Sequence, residues 1–207
     1  MTKVGAMKTF QFLFDVGGPN GYLAHRVLPA FCAEHSAAVE YVPVLLGGLF
    51  KATGNRPPLM RYADAPAKWA YEQLEFGRFI KAHGLGKFRM NPNFPPNSLQ
   101  AMRAITGAAA LGCQAETIEA FMVGVWEQEL NLGDRDAVQV HLDAAGLDGA
   151  ALLARADDPA VKAELIANTE AAVARGAFGI PTFFVGDEMF FGKERLGQVA
   201  AALGNIA

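Results

Sequence analysis

Cysteine is scarce: Cys32 and Cys113 are the only two in 207 residues. Two isolated cysteines make no disulfide framework, and with no Cys-x-x-Cys anywhere the chain lacks the nucleophilic sulfur that dithiol exchange requires. Each lies in an apolar helical stretch, Ala30-Phe31-Cys32-Ala33 and Ala110-Leu111-Gly112-Cys113, and reads as a small buried hydrophobe. Long apolar runs are also missing. Nowhere do eighteen apolar residues follow one another, so no membrane span is expected. No apolar signal-peptide core follows Met1-Thr2-Lys3-Val4-Gly5-Ala6, and we expect a cytoplasmic protein in which residues 1–6 carry no structural weight. Positive charge is in short supply as well: the net charge is −3, and no Lys/Arg run interleaves with aromatics, which argues against a nucleic-acid partner. The four histidines, His25, His35, His83 and His141, fall at no metal-ligand spacing, so neither a metal nor a catalytic histidine is expected.

What is present is an ordinary globular composition, 52% hydrophobic and 19% charged, at a length that suits one domain with an insertion better than two independent domains. Phe10, Phe12 and Phe14 alternate through a largely buried strand from about Lys8 to Asp15. Gly17-Gly18-Pro19-Asn20-Gly21 breaks it, and Pro19 suits the first turn of a helix running to about Glu34. Residues 39–45 form a second strand, parallel to the first across that helix. A turn-rich stretch, Thr53-Gly54-Asn55-Arg56-Pro57-Pro58, is followed by about a hundred residues of helical spacing. Asn97 or Ser98 can cap the helix that runs to about Leu111, and further helices fit residues 115–130, 135–145, 149–155 and 159–174. Thr182-Phe183-Phe184-Val185 and Glu188-Met189-Phe190-Phe191 then make a hairpin across Gly186-Asp187, and a last helix closes the chain.

The order β-α-β, helices, β-β-α is the α/β thioredoxin-like plan with an all-helical domain inserted after the second strand. The boundaries we expect are 7–50 and 175–207 for the thioredoxin-like part and 51–174 for the insertion. In that plan chemistry sits where the first strand meets the next helix, because unpaired N–H groups and the helix dipole favour an anion there. Here the junction reads Asp15-Val16-Gly17-Gly18-Pro19-Asn20-Gly21-Tyr22.

Four stretches carry a family resemblance. Asp15, Pro19, Tyr22, Leu23 and Ala24 fit a strand-end motif; Leu46 to Pro58 fits a second; Lys68-Trp69-Ala70-Tyr71 fits a Lys-x-x-Tyr; and Phe178 to Leu196, with Gly179-Ile180-Pro181-Thr182 at its start, is the strongest. From about Lys8 onward the chain resembles the 2-hydroxychromene-2-carboxylate isomerase and kappa-class glutathione transferase family of DsbA-like proteins. The resemblance implies glutathione as cofactor, paired through its cysteine backbone with the Ile180 main chain beside a cis Pro181. It places Lys51, Asn55 and the pair Lys193-Glu194 among the contacts to glutathione or substrate. It also implies a small aromatic anionic substrate, met by Lys68 and Tyr71 with Asn97 nearby, a homodimer, and a role in aromatic catabolism. The implied reaction is cis–trans isomerisation of an aromatic α-keto acid, with kappa-like transfer or peroxide reduction, or glutathione binding without turnover, as the alternatives.

The sequence departs from the pattern at Gly18, where the family's motif has a serine that activates the glutathione sulfur; Gly21 stands where serine or alanine is usual, and Glu194 where aspartate is. Three readings follow. Amides at Asn20 and Gly21, with a water in the space of the missing side chain, hold a thiolate without the hydroxyl; the site binds its ligand without that chemistry; or Gly17-Gly18 is only a turn.

Overall fold

Alternate rings of the first strand meet the same ring of a second: Phe10 and Phe12 lie 6.3 Å and 5.3 Å from Phe183 between centroids. The structure, a computed structural model, describes residues 7–205, so the expectation for residues 1–6 lies outside it. β1 (Lys8–Phe14) is the strand that holds the architecture together. Its Phe10, Phe12 and Phe14 enter one hydrophobic cluster while Leu13 enters another, with Val44, Leu49, Ile180 and Phe184. A strand buried on both faces belongs inside a sheet, and the sheet order is β2-β1-β3-β4. β2 (Ala37–Pro43) runs parallel to β1, with Phe12 opposite Tyr41. β3 (Thr182–Val185) is antiparallel to β1, with Phe12 opposite Phe183, and pairs in a hairpin with β4 (Glu188–Phe191). Gly186, at φ 57°, makes the turn between them.

α1 (Pro19–His35) connects β1 to β2 and ends on Ser36 in the left-handed region, whose N–H donates to the Cys32 carbonyl. The chain passes directly from that cap into the strand, so β2 begins at Ala37, two residues before the expected start. After it come α2 (Leu46–Thr53), α3 (Pro58–Arg61), α4 (Pro66–Ala82), α5 (Leu99–Ala108), α6 (Gln114–Glu127), α7 (Arg135–Ala144), α8 (Gly149–Asp157) and α9 (Pro159–Ala174); α10 (Leu196–Gly204) follows β4. Asp134, Asp148 and Asp158 cap α7, α8 and α9 by accepting from Ala137, Ala151 and Ala160 N–H. α2 is a helix that Gly47-Gly48 alone would not suggest. Burial of Leu49 and an anchor on the Leu46 N–H outweigh its poor propensity.

One apolar cluster runs from Phe10, Phe12 and Phe14 through Met102, Ile105, Phe121 and Trp126 to Leu152 and Leu165. Sheet and helices therefore share a continuous core. α4 stands apart, with no buried residue, and touches the rest near its C-terminal half, where Phe76 meets Phe88 edge-on at 5.2 Å. Cys32 and Cys113 are free and half-buried against the core rather than fully inside it. Burial pushes the Cys32 thiol above its ordinary pKa.

Candidate functional site

The β1–α1 turn is built over a carboxylate. Asp15 is wholly buried; one oxygen accepts from the Gly17 N–H at 2.8 Å and the other from the Leu46 N–H at 2.8 Å. Burial raises its pKa above the usual value, opposed by those two amides and by a hydrogen bond from the Ser98 hydroxyl. One side chain thus ties together the turn, the start of α2 and the start of α5. Val16 is held from the helical side: Trp126 Nε1 donates to its carbonyl at 2.8 Å and its own N–H points at Met102 Sδ, 3.3 Å away. Ser98 sits at the N-cap position expected of it, but its side chain makes no cap bond and turns to Asp15 instead; Trp126 and Met102 carry no local signal that links them to a turn more than eighty residues away.

Opposite this turn lies Pro181, joined to Ile180 by a cis peptide bond. A second cis bond, Phe94–Pro95, was not expected. The Pro181 carbonyl accepts from Gly192 N–H at 2.9 Å, and Thr182 Oγ1 donates to Gly179 O at 2.8 Å. Ile180 itself is buried, yet no backbone hydrogen bond within the described residues takes up its N–H or C=O. An unpaired peptide edge here is a place for another peptide to lie.

Asn55 reaches this edge: Nδ2 donates to the Phe178 carbonyl at 2.9 Å and lies 4.0 Å from where a Cβ on Gly179 would stand. Gly18, Ile180, Pro181 and Asn55 are therefore brought to one place. The remaining expected site residues are distributed around it. Lys51 is exposed and lines a groove of about 610 Å³ between α2, α5 and α9, together with Arg103, Lys162 and Ile166. Lys193 is turned inward, bonded to Glu194 and lying 5.6 Å and 5.1 Å from the Phe76 and Phe79 rings beneath α4. Lys68 and Tyr71 share the exposed side of α4, where Lys68 sits over the Tyr62 ring at 4.5 Å and Tyr71 hydrogen-bonds Glu75. Asn97 accepts from Leu99 N–H at 3.2 Å and so shapes the start of α5.

A DSBA-like thioredoxin domain model matches residues 9–204. The chain belongs to that family. It is 25% identical over 198 residues to a 2-hydroxychromene-2-carboxylate isomerase of Pseudomonas putida, covering 94% of each chain. It is 26% identical to glutathione S-transferase kappa 1 of Rattus norvegicus, over 96% of this chain and 92% of the relative. Among solved structures, a 2-hydroxychromene-2-carboxylate isomerase superposes with a TM-score of 0.79 at 25% identity, over 95% of this chain and 94% of the other. The α/β thioredoxin-like fold and the resemblance read from the motifs both hold.

Position 18 is where the structure corrects the sequence reading. No space stands open there for a water, because the Ile180 Cδ1 methyl occupies the place that a Cβ on Gly18 would need. Nor is the Gly21 amide free: it donates to the Gly18 carbonyl at 2.9 Å, as Tyr22 N–H does at 3.2 Å. Gly18 N–H is taken by the Asp15 carbonyl at 3.1 Å. Pro19 has no N–H, which leaves Asn20 as the amide of the turn not committed to the fold. No group of three or more His, Cys, Asp or Glu able to hold a metal occurs among the described residues, and no described helix is long and apolar enough to cross a membrane.

Proposed function

We propose that the chain binds glutathione along the Ile180 edge beside Pro181 and acts on a small aromatic α-keto acid as a 2-hydroxychromene-2-carboxylate isomerase-like enzyme. The observation that carries the reading is Ile180, whose main-chain N–H and C=O find no backbone partner among the described residues and whose side chain lies against Gly18 at the N-terminus of α1. Those two groups match the N–H and C=O of a cysteinyl residue laid antiparallel, as a strand edge accepts an extended peptide. Asn55 steadies the loop on one side of that edge through Phe178. Relatives named as isomerases and as glutathione transferases support an enzyme of this kind. Bound glutathione would supply a sulfur able to add reversibly to a conjugated double bond, so that the bond can rotate. Lys51, exposed, and Glu194, exposed and paired with Lys193, are the charged groups that would meet the ends of the tripeptide. Lys68 and Tyr71 are a cation and a phenol one helical turn apart, suited to a carboxylate and an oxygen.

A second reading, binding of glutathione without turnover, is favoured by the Ile180 methyl over Gly18, since a methyl group cannot hydrogen-bond a thiolate. Two measurements test the pair of readings. Millimolar glutathione should raise the melting temperature, and absence of a shift ends both. Isomerisation of an aromatic α-keto acid, followed by absorbance, should then depend on added glutathione if the first holds and be absent if the second does.

A further inference from the structure

We propose that the groove between α2, α5 and α9 is a second ligand site, which takes a medium-chain alkyl carboxylate, a fatty acid, independently of glutathione. Its volume of about 610 Å³ falls within the ordinary range of small-molecule pockets, about 300–1,000 Å³.

The wall is aliphatic. Leu45, Leu99, Leu165, Ile166 and Val173 line it, and among the described residues no aromatic ring does. Ile166 is 56% exposed, an apolar side chain left in water along the groove. A flat aromatic ligand gains from ring partners, whereas branched aliphatic side chains suit a flexible chain. The floor is held in place. Thr169 is buried, accepts from the Leu45 N–H at 3.0 Å, and has its Cγ2 3.0 Å from where a Cβ on Gly48 would stand, so α2 lies directly on α9.

Charge is uneven along the groove. A Cβ on Gly107 of α5 would stand 3.4 Å from Val161 Cγ2 at the start of α9, so Arg103, one turn before Gly107, lies toward the Lys162 end. Neither cation forms an ion pair among the described residues. Asp158, one turn before Lys162, is taken by Arg155 at 2.6 Å. Two half-buried cations therefore line one end without a bonded carboxylate, in a chain whose net charge is −3. α2 runs from Leu45 at Thr169 to the Asn55 contact with Phe178, which places Lys51 toward the other end of α9, where Glu170 offsets its charge. From Lys162 to Val173 α9 rises about 16 Å. A carboxylate bonded by Arg103 and Lys162, with its tail along Leu165, Ile166 and Val173, matches both the charge and the hydrocarbon. Gly18, Asn55, Ile180 and Pro181 are not among the lining residues. Lys51 alone is shared with the proposed glutathione contacts, and it lies at the tail end.

Calorimetric titration of the full chain with octanoate, decanoate and dodecanoate, each below its micellar concentration, tests this. Affinity should rise about two- to fourfold per methylene. Millimolar glutathione should leave it unchanged, and dodecylamine should bind far more weakly than dodecanoate. The double variant Arg103→Gln with Lys162→Gln should weaken decanoate about tenfold or more. Ile166→Asp, which sets a carboxylate in the hydrocarbon track, should abolish binding while the chain stays folded by circular dichroism. Absence of binding to the wild-type chain, equal binding of the amine, or an unchanged affinity in the folded double variant overturns the proposal. Displacement by glutathione also overturns it, by moving the carboxylate to the Ile180 edge. So does a wild-type dimer that binds no decanoate and that Ile166→Asp converts to a monomer in sedimentation, because a second copy then covers the groove. Glutathione binding is decided separately, by its own shift in melting temperature.

Discussion

Ile180 and Gly18 form a matched pair: the Cδ1 methyl of one fills the volume that any side chain on the other would enter. Both are buried, and the two come from opposite ends of the chain. Gly18→Ser alone should therefore cost what turning the flexible Ile180 methyl aside costs, about 0.5–1.5 kcal/mol. Ile180→Val removes the obstructing methyl at about 0.5–1.5 kcal/mol by itself. If the pairing is right, the double variant is more stable than the sum of the two losses, which urea denaturation would measure as a coupling energy.

Asp15 should tolerate loss of either acceptor oxygen poorly. Its two oxygens accept from two amides, whereas asparagine offers one oxygen and an NH2, so one amide is left facing a donor. Asp15→Asn is expected to lose about 1–3 kcal/mol. The pH dependence has a definite sign. Because burial raises the Asp15 pKa, its charged form is the costly one; that cost is absent below the ordinary value of 3.8 and complete above the raised one. The stability gap between wild type and variant should narrow as the pH rises through that window. A gap independent of pH would remove Asp15 as its source.

Asn55 joins α2 to the loop before Pro181 by one 2.9 Å hydrogen bond to Phe178. Asn55→Ala should lower stability by about 0.5–1.5 kcal/mol. Its larger expected effect is on the ligand, a glutathione dissociation constant raised about tenfold, because the peptide edge at Ile180 loses its lateral support. An unchanged dissociation constant in titration calorimetry would confine Asn55 to a structural role.

A polar network between α1 and α6 contributes to acid stability. His25 Nε2 bonds Glu119 at 2.8 Å and Nδ1 bonds the Tyr41 hydroxyl at 2.8 Å, while Arg26 bridges Glu119 and Glu127 at 2.8 and 2.9 Å. The hydrogen bond from His25, helped by Arg26, lowers the Glu119 carboxyl from 4.5 to about 2. Its stabilisation is therefore complete above 4.5 and fades as the pH falls toward about 2. The Glu119 side chain is 49% exposed, so solvent screening limits the effect to about 1 kcal/mol or less. Glu119→Gln should flatten the acid limb of melting temperature against pH while leaving glutathione affinity unchanged.

The strand-helix order and the site loops were legible because their signals are local. Alternating Phe10, Phe12 and Phe14 mark a strand, Asp134, Asp148 and Asp158 begin helices, and Gly186-Asp187 turns a hairpin, each within a few residues. α2 was not legible, since its Gly47-Gly48 has weak propensity and the helix exists through burial of Leu49 and the Asp15 anchor. The same holds for Trp126 on Val16 and Ser98 on Asp15, where partners far apart in the chain meet only after it folds. Position 18 shows the division most clearly. The missing hydroxyl could be read directly from Gly18, because a residue's chemistry is fixed by its identity. Whether the vacated volume holds water or carbon depends on which side chain packs across it, and only the tertiary approach of Ile180 decides that.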